Sequence, residues 1–532
     1  MHRDPESTQA WLIGSGIASL AAAVHLIKDA KVPASNIHIL GAHAATGGGI
    51  KTCGNAEDGY VIYAGCLPYF LGECVEELVS HIPSPKAPDK SILDSMKDFE
   101  QNEIPQSQRV AMTHILKRGG QGPEKVDAGH LHVGYQQRME LIKIMLEPES
   151  ALSGRRIEEF FDVNFFGSNF WTLWSTSFGL QPWHSVIEFR RCLRKHLADI
   201  QHLNNVNTID RIQYTVYESI ILPITTFLKM EGVDFRFHVK VTDLRMNADS
   251  DPTTVVEVVL QENEEEQTIK VNEVDIVIAT LGSTDSGLQL GANLEPPPVL
   301  PQSNEFIYDG WSLWLKLSEK SHKFGNPLNF KAQVPQSRLE TFTITLRNSE
   351  FIELYEKLTN NRPGSGPLLS IADSNWSLSI SVPHQPVCSN QPPDVHVIWG
   401  YGLNPEKNGN FVNKAMFQCT GKEIMTELLY HLNFSQESLL QTANTIPLLM
   451  PLATSPLLPR ARGDRPEIIP SQTTNLALVG QFAEIPDDTT FNMEYSVRGA
   501  QAAVDNLMGL AKKPPKVKRN LLLNVLDLLH VT

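Results

Sequence analysis

AWLIGSGIASLAAAVHL, residues Ala10 to Leu26, decides the fold. A short apolar run ends in Gly14, Ser15 and Gly16, and an Ala-rich helical pattern follows at once. This is the order of a strand, a tight turn and a helix N-terminus built to hold a pyrophosphate. Gly14 permits the turn, Gly16 lets a phosphate approach the backbone, and Ser19 is small enough for the helix to lie on the sheet. The free N–H groups at the positive end of the helix then face the anion. A second strand, Asn36 to Leu40, follows at the spacing of a βαβ unit.

Working outward, the chain of 532 residues is too long for one simple core, and two or three domains are expected. The fold class is α/β: a split Rossmann-like dinucleotide domain with an inserted mixed α+β substrate domain and a small helical region. Residues 8–83, 216–290 and 446–510 form the dinucleotide segments, 84–215 a helical, aromatic substrate region, 291–445 the substrate-binding domain, and 511–532 a tail. The buried strand from Val274 ends at Gly282, and Leu476 to Val479 runs into Gly480. Both return to the first sheet, and a helix from Glu494 to Met508 closes the domain. Within the rest, Gly134–Leu146 and Tyr217–Met230 read as helices, and Gly232 onward as one alternating strand. Residues 84–125, rich in Pro, Lys, Asp and Gln, read as a long surface excursion. The aromatic text from Asn169 to Phe189 must bury its rings, either in a core or along an apolar ligand channel.

Net charge is −15, which argues against extended nucleic-acid binding. The six cysteines show no metal-ligand spacing, and the first residues are polar, so the cysteines read as reduced thiols of a cytoplasmic protein. No run of about 18 apolar residues exists to span a bilayer. The tail places Lys512 to Arg519, a basic cluster, beside an apolar helical stretch. That pattern fits peripheral membrane contact or a helix docked on its own protein.

Several strings together resemble the oleate hydratase family, once called myosin-cross-reactive antigens. They are GSGIASLAAAVHLI near the start, FFGSNFWTLWSTSFGLQPWHSVIEFRR in the aromatic region, DSNWSLSISVPHQP, WGYGL, LPRARGDRPEIIP, and NLALVGQFAEIPDDTTFNMEYSVRGAQAAV near the end. The resemblance runs from about residue 10 to residue 508 and implies FAD, an apolar small-molecule substrate and addition of water across a double bond of an unsaturated fatty acid, without net redox change. The expected FAD contacts are Gly14, Gly16, Ser19, Gly47, Gly48 and Gly282, with Gln481 and Phe482 after Gly480. A homodimer is a further expectation.

The chain also departs from that family. The resemblance implies a catalytic Glu where this sequence has Leu67, in Tyr63-Ala64-Gly65-Cys66-Leu67-Pro68, and a Tyr where it has Thr172. The second strand of such folds usually ends in a ribose-binding acid, and here that position is Gly41. Losing a charge-assisted pair there costs about 1.5–3 kcal/mol. These losses suggest altered catalytic groups. They leave three other readings open: a repurposed isomerase or cyclase of Diels–Alderase type in secondary metabolism, a non-catalytic lipid-binding relative, and an ordinary redox flavoenzyme. Tyr69 and Glu73 are candidates for a replacement acid, although Glu73 equally reads as a solvated helix residue. His184 is an acid–base candidate or a core hydrogen-bonding group. Leu67, Trp174, Asn375 and His384 are candidate substrate contacts, with Asp373 beside them. Asn375 and His384 would hold a polar head group or else tie a strand edge. Arg460, Arg462 and Arg465 would face FAD phosphates or pair with Asp464.

Overall fold

The structure is a computed structural model that describes residues 3–63, 72–102, 114–120, 122–126, 133–200, 212–247, 253–298, 310–365, 368–490, 492–517 and 525. Its first sheet is five-stranded and parallel, in the order Leu476–Val479, Ile276–Thr280, Ala10–Ile13, Ile37–Gly41, Asp234–Phe237. The three central strands are apolar and buried almost throughout, as a parallel sheet covered on both faces requires. On one face, helix Ile17–Lys28 packs against the closing helix Met493–Met508. Ala21, Ala22, Ala500 and Ala503 are fully buried in their shared core, and such small side chains allow close approach of the two backbones. The opposite face carries the antiparallel strands Val239–Met246, Val255–Glu262 and Glu265–Lys270 and a core with Trp311, Trp314 and Phe482. This is the split Rossmann-like α/β architecture that the glycine-punctuated strands imply.

Two expectations are corrected. The single strand read from Gly232 onward is two, because His238 adopts a left-handed φ of +58° and turns the chain. Asp234–Phe237 completes the parallel sheet, while Val239–Met246 leaves it for the antiparallel one. The stretch 84–125 is also more than a surface excursion. It contains helix Ile92–Asn102 and the hairpin His114–Gly119/Gly122–Val126, which joins the edge of an eight-stranded mixed sheet. Ile115 and Leu116 point into two different cores, which anchors a strand whose other residues are polar.

That sheet runs Gln289–Leu290, Ala443–Met450, Leu339–Leu346, His396–Gly402, Leu378–Ser381, Leu369–Ile371, His114–Gly119, Gly122–Val126. The aromatic text folds into helix Asn169–Phe178, capped by the Ser168 hydroxyl and ended by Gly179 at φ +66°, followed by Val186–Ile200. Its rings stack on one another, with Phe161–Phe165 centroids 3.8 Å apart and Trp174–Phe178 4.8 Å apart. It is therefore chiefly a packed core. Of the apolar tail stretch only Val525 is described, against that core; the rest, with the membrane expectation it carried, lies outside the described residues. Among the described residues no helix is long and apolar enough to cross a membrane.

Candidate functional site

A cavity of about 400 Å³ opens where the C-terminal ends of the parallel strands meet the eight-stranded sheet. Two glycine loops form one wall. Gly14 takes φ +103° and donates its N–H to the Leu40 carbonyl at 2.9 Å. Gly47 donates to the Ser15 carbonyl at 2.8 Å, which draws the second loop onto the first. A Cβ added at Gly16 would lie 3.8 Å from Gly48 Cα, so the loops pass backbone to backbone. Helix Ile17–Lys28 starts at Gly16 with no side-chain cap, and Ile17 and Ala18 border the cavity. Uncapped N–H groups at a helix start form a cradle suited to a pyrophosphate. Ser19 lies behind the cradle, where its hydroxyl shares a hydrogen bond with Thr280 at 3.3 Å and ties helix to sheet. Gly282, Gln481 and Phe482 border the same cavity, and Thr284 donates to Gln481 Oε1 at 3.2 Å.

The adenosine end differs. A Cβ at Gly41 would fall 2.9 Å from Ser15 Oγ and 3.5 Å from the Phe237 ring. Ser15 therefore crowds a Cβ at position 41, while the Phe237 ring lies in ordinary van der Waals contact with it. The cradle fits the phosphates of a dinucleotide, but the usual ribose carboxylate is absent, and a side chain at position 41 requires Ser15 to shift.

The opposite wall is the eight-stranded sheet, which presents Leu339, Thr341, Trp399, Tyr401 and Met450. Tyr401 is fully buried, its hydroxyl donates to the Thr176 carbonyl, and burial pushes its phenol pKa up. Tyr63 also borders the cavity, and its phenol is pushed up to about 12, first by burial and then by Cys53 and Asp285. Asp285 lies on the cavity wall against the second glycine loop: a Cβ at Gly49 would sit 3.5 Å from its carboxyl carbon. Tyr63 and Asp285 are ionisable residues that the sequence reading did not select. The available signal was a polar Ser283-Thr284-Asp285 run directly after a buried strand ending in glycine.

The residues selected from the sequence are placed differently from one another. Leu67 and Tyr69 lie outside the described residues. Thr172 is not part of the cavity wall; its hydroxyl donates to the Ser168 carbonyl at 3.1 Å, within its own helix. Thr176, one turn later, does reach the wall. Of the two readings of His184, the core hydrogen-bonding group is the one the structure has. Its Nδ1 accepts the Gln181 N–H at 3.0 Å, so Nε2 carries the proton and faces the Gln336 carbonyl at 3.3 Å. Complete burial lowers its pKa to about 3, and the imidazole stays neutral. Trp174 is sealed in the aromatic core, whereas Phe178 edges the cavity.

Asn375 sits in an exposed turn held by Asn410 at 2.7 Å, and Asp373 accepts the Arg118 N–H at 3.0 Å. His384 packs edge-on to Phe99 at 5.2 Å, and neither Asn375 nor His384 borders the cavity. Glu73 is exposed in the first turn of helix Glu73–Ser80. Arg460 and Arg465 neither line the cavity nor pair with Asp464. They pair with the fully buried Glu188 at 3.0 and 3.1 Å, and Arg460 also reaches Glu484 at 3.3 Å. Arg191 joins Glu484 to Glu149 at 2.6 and 2.8 Å. Arg465 additionally donates to the carbonyl of Pro456, a cavity residue, so this ion network supports the cavity floor. Arg462 is exposed.

The profile of the MCRA family matches residues 7–504. The chain belongs to the MCRA family. It is 32% identical over 517 residues to the oleate hydratase of Streptococcus pyogenes serotype M49 (strain NZ131), covering 94% of this chain and 86% of that protein. It is 30% identical over 545 residues to the linoleate hydratase of Lactiplantibacillus plantarum, covering 94% of each. More distantly, this MCRA chain shares its fold with an oxidoreductase from Methanosarcina mazei (TM-score 0.51, 11% identity, 94% of this chain and 100% of that one). It shares it equally with cyclohexylamine oxidase from Brevibacterium oxydans IH-35A (TM-score 0.51, 10% identity, 94% and 99%).

Proposed function

We propose that this chain is a fatty-acid-hydratase-like lyase that adds water to a double bond of an unsaturated fatty acid, using Tyr63 and Asp285 to handle protons. The observation that carries the reading is their joint position on the cavity wall, opposite an apolar sheet face, in a chain 30–32% identical to two hydratases. An isolated alkene is a very weak base, so its hydration needs a positioned acid and a held water. Thr172 offers neither, because its proton is bonded within its own helix. Tyr63 borders the cavity beside Cys53 and Asp285 and keeps its proton through neutral pH, so it is the acid on this wall. Asp285 takes a proton from the attacking water. One alkene carbon gains the Tyr63 proton, the other gains the water oxygen, and the proton held by Asp285 restores Tyr63. The net change is one water added.

FAD is the cofactor proposed for the glycine cradle, held at its phosphates by Gly14, Gly16, Gly47 and Gly48 and the start of helix Ile17–Lys28. Bound there, the flavin would supply a planar, polarisable surface beside the reacting bond. Tyr63, Asp285 and the sheet wall orient the hydrocarbon against that surface and exclude bulk water.

The test is incubation of the full chain, with FAD, with oleate and with linoleate, followed by mass spectrometry. A product heavier than substrate by one water, lost in Tyr63→Phe, supports the reading. A product of unchanged mass moves the assignment to isomerisation or cyclisation, the outcome that loss of the family's acid at Thr172 would favour. Tight lipid binding without any product reduces the protein to a lipid-binding relative.

A further inference from the structure

Three helices bring their C-terminal ends together at a distance from the cavity. They are Ile17–Lys28, Glu73–Ser80 and Met493–Met508. The first starts at the glycine cradle, so its far end lies about 18 Å along the helix axis from it. Asp29 caps the first helix, His81 caps the second, and Asp505 sits in the last turn of the third. Helix C-termini carry partial negative charge. The last turns of the second and third helices contain no basic residue to offset it. Three carboxylates, Asp29, Glu77 and Asp505, add to that field, and ligand atoms of Asp29, Glu77 and His81 all lie within 4.8 Å of one another.

One ammonium group enters this cluster. Lys512 Nζ binds Asp29 Oδ1 at 3.1 Å and also Glu77 Oε1. It does not satisfy the rest. Asp505 is 1% exposed, and neither of its oxygens has a hydrogen-bond partner. Its ionisable neighbours are His25, Asp29, Lys512 and Lys513, so it faces the cluster. His25 is fully buried with Nδ1 held by Asp29 Oδ2 at 2.7 Å, while its Nε2 is without a partner. His81 Nε2 is buried and unpartnered as well. Buried polar groups are nearly always satisfied, and a buried carboxylate without a hydrogen-bond partner is costly. A lysine held by two of the carboxylates marks where a cation is favoured.

We propose that Asp29, Glu77 and His81 form a binding site for a divalent transition ion of the zinc class, with Lys512 as a built-in competitor for the same place. Mixed carboxylate and imidazole donors suit that class, whereas magnesium and calcium favour oxygen donors alone. Closing the donors around an ion at about 2.0–2.2 Å needs only a small inward movement of half-buried side chains. Asp505 supplies the buried negative charge that the ion neutralises. Entry of the ion displaces Lys512. The segment after the closing helix is then held by Arg498, which donates to the Pro515 carbonyl.

The test titrates the full chain and its Lys512→Met variant with Co²⁺, followed by visible absorption, with Zn²⁺ as the displacing ion. The variant is expected to take up one Co²⁺ at least about tenfold more tightly than the unmodified chain, because the competing ammonium is gone. Adding His81→Ala is expected to abolish that uptake, and Zn²⁺ is expected to raise the melting temperature of Lys512→Met but not of the double variant. Uptake indifferent to His81→Ala, no uptake, or equal affinity with and without Lys512 overturns the proposal and leaves an ion-pair cluster only. Should circular dichroism show Lys512→Met unfolded, the unmodified chain and His81→Ala are compared directly. Absence of a His81-dependent Co²⁺ site in that pair is equally decisive against it.

Discussion

Ser15 Oγ stands 2.9 Å from the point that a Cβ on Gly41 would occupy. The two positions are therefore coupled: a residue at 41 that carries a side chain requires Ser15 to yield. Restoring an acid alone, Gly41→Glu, forces its stem against Ser15 and is expected to leave FAD affinity unchanged or lower. The double variant Ser15→Gly/Gly41→Glu regains room and a charge-assisted contact to the ribose, worth about ten- to a hundredfold in affinity. Quenching of flavin fluorescence on titration of FAD into the apoprotein measures both. Equal affinity of the double variant and the unmodified chain would show that the adenosine end lies elsewhere.

Tyr63 and Asp285 carry the proposed chemistry, and they separate by variant. Tyr63→Phe removes only an oxygen and is expected to lower kcat at least about a hundredfold, with little change in KM. Asp285→Asn is expected to act similarly. Thr172→Val, by contrast, removes a hydroxyl already bonded to Ser168 and is expected to change kcat less than about threefold. Steady-state kinetics on oleate distinguish the cases. A large kcat loss in Thr172→Val together with an active Tyr63→Phe would reverse the assignment.

The fold was largely legible because its signals are local. Gly14, Gly282 and Gly480 each end a buried strand, and each marks a strand of one parallel sheet. What the sequence hid is one backbone turn and several contacts between distant residues. His238 breaks a strand by a single left-handed residue in a pattern that alternates without interruption. The strand at Ile115 and Leu116 exists because two cores meet there, which neighbouring polar residues conceal. At the site, the cradle was legible residue by residue, whereas Tyr63 and Asp285 come together only through the fold. His184 takes the second of its two readings, and Arg460 and Arg465 take neither of theirs, for one reason: chemistry-bearing side chains also serve as buried structural ties.

Glu188 tests the floor of the cavity. It is fully buried and accepts from Arg460 while pairing with Arg465, which in turn holds the Pro456 carbonyl. Glu188→Ala leaves two buried guanidinium groups without their shared partner, and removing one side of such a pair costs about 3–5 kcal/mol. Chemical denaturation is expected to show that loss. Glu188→Gln, which keeps the shape and one hydrogen bond, is expected to lose less. A loss below about 1 kcal/mol for Glu188→Ala would mean that the network is dispensable.

His184 gives the protein a specific acid sensitivity. Its folded pKa, about 3, lies below the unfolded value near 6.5 because burial disfavours the charged ring. Above the unfolded value both states are neutral, and the group makes no pH-dependent contribution. As pH falls below it, the unfolded chain binds a proton that the native chain refuses, so stability declines by about 1.4 kcal/mol per pH unit until the folded pKa is reached. Between about pH 6.5 and pH 5 the loss from this one residue is therefore about 2 kcal/mol. Other groups titrate as well, so the informative quantity is the difference between the unmodified chain and His184→Gln. That variant keeps polar atoms near Gln181 and Gln336 but cannot take up the proton. Urea unfolding at both pH values is expected to show a smaller decline in His184→Gln, even if it is less stable overall. Parallel declines in the two proteins would mean that the native state admits a proton at His184, and that the ring is less completely sealed than its burial implies.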